Sequence, residues 1–340
     1  MSLSPSLSLL VQYLPSSTKP THLNTMAPTI LIVGATGNTG RKVVETLPSL
    51  IKNTKSLANH RILCLTRSAS SDAARKLAQL PGVEIAEQNW VEIDAAWLQE
   101  HNVERIFVAS HNEPAHFAEE GQFYVNCLRA GVKYVVRIST TAANVVPDYM
   151  AYYPRSHWAI EMMLSQPEFK NLAFTSLQPN GFLPMFLTPT AEFIKNYRKT
   201  GKQEGKLSLI IDADTPTGLV DSDDVGRVAA HLLGQEDFTP HANKKYVVSG
   251  PEDVTGNDIV KLVEEHIGTK VEKDKIAFKD LSFIDGMASQ SPHPNLIRSI
   301  KQAPVTSWEG KCKSETTSKE VLELCAPKRT AAEVLKELIQ

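Results

Sequence analysis

Cysteine is scarce in this chain, and what there is does not pair. The four cysteines among 340 residues, Cys64, Cys127, Cys312 and Cys325, form no Cys-x-x-Cys and no Cys/His ligand spacing. That removes the usual signatures of a disulfide framework and of a zinc site. Long apolar runs are missing as well. No segment reaches the roughly 20 residues of a membrane helix, so a soluble, cytoplasmic protein without membrane association is expected. The formal net charge of −2 carries no cationic excess, which argues against direct nucleic-acid binding driven by bulk charge. The histidines are scattered, and Asp223-Asp224 has no third ligand at useful spacing. That pair reads as a helix start, and no metal is expected. No internal repeat appears. The partner class left standing is a small molecule.

Residues 1–25 lack acidic side chains and carry one charge, Lys19. They have neither the basic start of a secretory signal nor the arginines of a mitochondrial presequence. They read as a disordered extension, with the fold starting near Met26. Beyond them, the 42% hydrophobic content of the whole sequence is ample for a packed core.

What is present is organised around residues 29–41, Thr-Ile-Leu-Ile-Val-Gly-Ala-Thr-Gly-Asn-Thr-Gly-Arg. The apolar, β-branched run 29–33 predicts a strand buried on both faces. The glycines end it, and Val43, Val44 and Leu47 begin a helical pattern. A strand, a glycine turn and a helix amino end together make an anion site, where unpaired amides meet the positive end of the helix dipole. A pyrophosphate fits there. Gly34 would allow the tight turn, Gly37 the approach of the backbone to the phosphates, and Gly40 the close packing of helix on strand. Thr36, Asn38 and Thr39 share that turn and join the candidate cofactor contacts. The spacing is G-x-x-G-x-x-G rather than G-x-G-x-x-G.

Strand-like and helix-like segments then alternate. Strands are expected at 61–67, 83–86, 105–110, 134–139 and 172–177, with helices near 72–80, 93–98 and 117–130, the last closed by Gly131. Such alternation predicts an α/β fold with a doubly wound parallel sheet covered on both faces. The second strand ends Thr66-Arg67-Ser68 with no acid until Asp72. A carboxylate there would select NAD through the ribose hydroxyls, whereas Arg67 suits the 2′-phosphate of NADP. A guanidinium–phosphate contact contributes on the order of 1.5–3 kcal/mol, enough for about tenfold discrimination. Ala109 and Ser110 end the fourth strand beside the expected cofactor.

The chemistry is expected in the next stretch. Ser139 and Thr140 precede Tyr153 by 14 and 13 positions, and His157 follows Tyr153 by four, one helical turn on. This resembles the short-chain dehydrogenase/reductase superfamily, with His157 where the Tyr-x-x-x-Lys pattern has lysine. More specifically, the chain resembles the NmrA-like members of its atypical branch. The resemblance runs through 34–40, His157 with Glu161 and Leu164, Leu-Gln-Pro-Asn-Gly-Phe (177–182), 220–229 and 246–252, in that order, over about residues 28–275.

The resemblance implies a Rossmann fold with a small C-terminal substrate-side lobe. Residues of about 26–165 would serve mainly the nucleotide and those of about 178–340 the lobe. It further implies that Tyr153 donates a proton, with Tyr152 as a rival. Ser139 or Thr140 would polarise the substrate, His157 would contact the nicotinamide ribose, and Asn180, with Pro179 and Phe182, would touch cofactor or substrate. A neighbouring cation lowers a phenol pKa, and His157 supplies one only when protonated. Two functions stay open. One is an NADP(H)-dependent oxidoreductase acting on a carbonyl or activated double bond of an apolar molecule, of the kind met in secondary metabolism. The other is a non-catalytic NADP(H) redox sensor that regulates a protein partner such as a transcription factor. Residues 178–186, apolar and broken by prolines, are expected to form a loop over the nicotinamide. Asp221 should cap a helix over 222–233, and Thr255 or Asn257 should open another. The end of the chain should be an amphipathic helix at 330–338.

Overall fold

The computed structural model describes residues 26–340; the extension expected at 1–25 lies outside the described residues. Strands β1 (Thr29–Val33), β2 (Arg61–Thr66), β3 (Val83–Glu87), β4 (Val103–Val108), β5 (Tyr134–Ile138) and β6 (Ala173–Pro179) enter one parallel sheet. The order across it is 3-2-1-4-5-6, and a later strand at Lys244–Val248 extends it beyond β6. Every residue of β1 is buried. Ile30 and Ile32 point into one core while Leu31 and Val33 point into the other, so a continuous apolar run is what this strand requires.

Helices follow the strands as the alternation predicts: α1 (Asn38–Lys52), α2 (Asp72–Leu77), α3 (Ala95–Glu100), α4 (His116–Ala130) and α5 (Tyr152–Leu164). Gly131 ends α4 in the left-handed region at φ 82°, the conformation glycine adopts without strain. Helix α1 packs on one face of the sheet, and α3, α4 and α5 supply the core of the other.

The segment expected to be a loop departs from that reading. Helix α6 (Leu183–Thr200) starts at Leu183 and contains Pro184 in its first turn and Pro189 inside. A first-turn proline loses no intrahelical bond, and Leu183, Phe186, Leu187 and Ile194 bury the face that holds this helix in place. Strand β7 (Leu207–Leu209) follows α6. It pairs with a late strand at Ile276–Phe278 rather than with the main sheet.

Helix α7 (Ser222–Leu233), capped by Asp221, and strand β8 (Lys244–Val248) return to the main sheet. The second half of the chain therefore completes the main sheet as well. Beyond it come α6, β7, α8 (Gly256–Ile267), β9 (Ile276–Phe278), α9 (Phe283–Ser289), α10 (Pro294–Ser299), α11 (Val305–Trp308) and α13 (Ala331–Leu338), while α12 (Lys319–Cys325) packs its Val321 into the core of the main sheet. Capping boxes at Thr255 and Thr330 open α8 and α13. Among the described residues no helix is long and apolar enough to cross a membrane.

Candidate active site

Parallel pairing sets the site. Val33 lies opposite Val108, Val108 opposite Arg137, Ile138 opposite Leu177, and Pro179 opposite Val248. Gly34, Ala109, Ser139 and Asn180, each just past a strand end, therefore share the carboxyl edge of the sheet. Arg67 joins them from β2, the other neighbour of β1. The chain order reverses between β1 and β4, and in open α/β sheets ligands bind in the crevice at that switch point.

The glycine turn is shaped for an anion. Gly34 has φ 79°, and a Cβ on Gly40 would lie 2.1 Å from the Gly34 carbonyl oxygen, so helix and strand can touch only without a side chain there. Gly37 is the N-cap of α1 and no side chain caps the turn, which leaves the first amides of the helix open. Thr36, Gly37 and Asn38 reach the surface, whereas Thr39 and Gly40 are buried against neighbouring backbone. Arg67 is exposed, with no ion pair or hydrogen bond among the described residues. The nearby acid at the end of β3, Glu87, accepts the Ala69 amide at 2.9 Å.

Past β5, the Tyr153 phenol makes a hydrogen-bonding contact with the Thr140 hydroxyl. Burial raises its pKa above the ordinary tyrosine value, and Thr140 opposes part of that rise. Ser139 Oγ is buried without a partner. Tyr152 is occupied differently, since its hydroxyl donates to the Asn112 carbonyl. Of the two rival tyrosines, Tyr153 keeps its phenol beside the Thr140 hydroxyl.

Three of the expected site residues have partners within the protein. Ser110 Oγ donates to Glu120 Oε2 at 2.6 Å. Asn180 spends both amide hydrogens inside the protein, on Ser249 Oγ at 2.7 Å and the Cys312 carbonyl at 3.2 Å. It ties the ends of β6 and β8 to the C-terminal segment. His157 is buried, with Nδ1 2.9 Å from Arg137 Nη2 and Nε2 3.1 Å from Asn112 Oδ1. A guanidinium only donates, so Nδ1 accepts and Nε2 carries the hydrogen. Burial, reinforced by the Arg137 charge, holds the His157 pKa well below its ordinary value. This histidine is a fixed neutral group, so it supplies no cation to Tyr153.

A buried polar network that the sequence reading did not assemble lies behind these residues. Glu120 Oε1 accepts from Arg137 Nε at 2.8 Å and from the Tyr124 hydroxyl at 2.5 Å. Its Oε2 accepts from Ser110 and lies 2.5 Å from His116 Nε2. Arg137 also donates to Ser176 Oγ, and Ser176 donates to Glu161, which pairs with Lys245 at 3.1 Å. Burial pushes the Glu120 carboxyl upward, but Arg137 and His116 outweigh it and hold the group well below its usual range. The available signal was Arg137 itself, a charge inside a strand otherwise buried on both faces.

The network predicts an acid-side loss of stability. Below an ordinary histidine pKa of about 6.5, unfolded chains protonate His157 and folded ones do not. Below about 4.5 the same holds for Glu120. Both contributions are present in full above the first value and decline as pH falls through these two windows. Melting temperature should be flat from about pH 7 to 8 and fall progressively below about pH 6, and His157→Gln should flatten the upper part of that fall. A wild-type profile unchanged down to pH 5 would contradict a neutral His157.

The fold and site define a doubly wound α/β protein with a glycine turn before an uncapped helix start and a Thr–Tyr pair on one sheet edge. The sequence profile of the NmrA-like family matches residues 26–301, and the chain belongs to that family. A (4-alkanoyl-5-oxo-2,5-dihydrofuran-3-yl)methyl phosphate reductase of Streptomyces griseus is 25% identical over 248 residues, covering 70% of this chain and 74% of its own. An NADPH-dependent quinone oxidoreductase of Escherichia coli, complexed with NADPH, superposes with a TM-score of 0.67 at 20% identity. That match covers 92% of this chain and all of the other. Citrobacter triphenylmethane reductase, complexed with NADP(H), gives 0.65 at 19%, covering 91% of this chain and 99% of its own. At these identities the structural likeness establishes the shared fold.

Proposed function

We propose that this protein is an NADP(H)-dependent oxidoreductase that reduces a carbonyl or activated double bond of an apolar small molecule. The observation that carries the reading is the Tyr153 phenol held against Thr140 at the end of β5, on the edge where the glycine turn opens. The residues present fit a phosphorylated dinucleotide: a turn that a Cβ on Gly40 would fill, an uncapped helix, the unpaired Arg67 and the orphan hydroxyl of Ser139. The NADPH and NADP(H) complexes of the two structural relatives support the choice of cofactor.

When bound, the nicotinamide supplies the hydride. Amides of Asn38 and Thr39 would hold the pyrophosphate and Arg67 the 2′-phosphate. The Tyr153 phenol is protonated at neutral pH, as an ordinary tyrosine is and as burial, which raises its pKa further, reinforces, so the proton is there to donate to the substrate. Thr140 stabilises the charge left on the phenol oxygen, and Ser139 polarises the substrate. We place the substrate among small products of secondary metabolism and the reaction in the cytoplasm.

The non-catalytic NADP(H) sensor, acting on a protein partner, is the second reading. The observation favouring it is the neutral His157, which leaves Tyr153 without an activating cation. Purified protein incubated with NADPH and a panel of quinones, enones and ketones, followed at the nicotinamide absorbance, separates the two. Turnover with any member supports the oxidoreductase, while NADPH binding without oxidation supports the sensor. Arg67→Ala should weaken NADPH about tenfold and leave NADH within about twofold, as measured by titration. Equal losses for both nucleotides would remove residue 67 from the 2′-phosphate site.

A further inference from the structure

The connection between β4 and α4 is mostly exposed and has no regular structure over 109–113, yet side chains fasten nearly every residue of it. Ser110 is tied to Glu120, and His111 Nε2 lies 2.6 Å from Glu119. The Glu113 amide donates to His111 Nδ1 at 3.1 Å. Asn112 is gripped twice by α5: the Tyr152 hydroxyl donates to its carbonyl, and His157 donates to its Oδ1 at 3.1 Å. Because Arg137 occupies Nδ1, the imidazole always presents Nε2–H to Asn112, which fixes the side-chain amide with Oδ1 inward. Its Nδ2 retains two hydrogens with no partner among the described residues. A surface loop held to this degree is preorganised, which is the condition for a group that positions a ligand.

Asn112 also stands in a telling place. Strand β4 lies between β1, which ends in the glycine turn, and β5, which ends in Ser139 and Thr140. The two residues that grip Asn112 flank Tyr153 on α5, and the Tyr153 and His157 rings are 6.3 Å apart, edge to face. The span between pyrophosphate and reacting ring is the one a nicotinamide riboside must cross, and its ribose hydroxyls and carboxamide oxygen are acceptors.

We infer that the Asn112 side-chain amide is the hydrogen-bond donor to the nicotinamide riboside half of the cofactor, with Arg137 and His157 as positioning residues that aim it. The inference rests on the NADP(H) reading above. Asn112 takes over the ribose contact expected of residue 157, using a neutral donor in place of a cation.

The test compares the affinities of NADPH, NADP⁺ and 2′,5′-ADP, the last of which carries only the adenosine half. Asn112→Asp keeps an acceptor for His157, removes the donor and adds a negative charge. It should weaken NADPH by about three- to tenfold, weaken NADP⁺ less because its ring is cationic, and leave 2′,5′-ADP within about twofold. The melting temperature should be unchanged. His157→Phe should shift the NADPH to 2′,5′-ADP affinity ratio by a similar factor, and the double variant should be no worse than either single one. Unchanged NADPH affinity in Asn112→Asp, with wild-type 2′,5′-ADP binding intact, would overturn the inference alone. Equal losses for NADPH and 2′,5′-ADP would also overturn it and make Asn112 a loop tether. Failure of the wild type to bind either ligand would overturn both the inference and the NADP(H) reading.

Discussion

Tyr153→Phe should lower kcat by about 10²- to 10⁴-fold, the range that a positioned general acid contributes, while the Kd for NADPH stays within about threefold. The variant removes one oxygen from a partly buried ring and leaves the packing of Tyr153 against the lobe cluster of Tyr152, Ile284 and Ala288 in place. Binding and chemistry should therefore separate. Tyr152→Phe, by contrast, frees the Asn112 carbonyl from its donor and should affect the β4–α4 loop and cofactor affinity more than the chemical step. Stopped-flow oxidation of NADPH with the best substrate from the panel measures the first effect, and equilibrium titration measures the second. A Tyr153→Phe enzyme turning over at the wild-type rate would transfer the proton-donor role elsewhere.

The second large effect concerns stability. Glu120→Ala should destabilise the fold by about 3–5 kcal/mol, the cost of leaving a buried charge without its partner. Arg137 has no exposed surface, and its remaining carboxylate, Glu161, is 3.7 Å away. Tyr124, His116 and Ser110 would lose an acceptor at the same time. The melting temperature should fall by roughly 10 °C. Two effects oppose each other in such a pair: the attraction between Glu120 and Arg137, and the desolvation of both. If desolvation nearly cancels attraction, Glu120→Leu combined with Arg137→Met will cost much less than the sum of the two single changes. Differential scanning calorimetry of the four proteins decides it. A Glu120→Ala loss below about 1 kcal/mol would mean that water reaches the network in solution.

These effects share an origin, because Arg137 and Glu120 join the stability of the core to the geometry of the edge. Arg137 sets the His157 tautomer, His157 holds Asn112, and Glu120 holds Ser110. Glu120→Ala should accordingly weaken NADPH even where the protein remains folded, a coupling to be measured well below its melting temperature.

The glycine turn, Arg67 at the end of β2 and the α/β alternation were legible because each is a local rule. A missing Cβ, a strand end and a period of residues are properties of consecutive positions, and Gly34, Gly40 and Gly131 sit where those rules put them. Parallel pairing then brings strand ends together in any doubly wound sheet, so the placement of Ser139 and Thr140 on the same edge as Gly34 followed as well. The fates of Ser110, His157 and Asn180 did not follow. Each is a polar side chain whose partner lies on another element, and only tertiary packing decides whether a hydroxyl, imidazole or amide meets solvent or a buried neighbour. For His157 the deciding contact is with Arg137, twenty residues earlier, on a different element and fully buried. Burial, with a cation that far away in sequence and that close in space, favours the neutral imidazole, which neither spacing nor the resemblance could reveal.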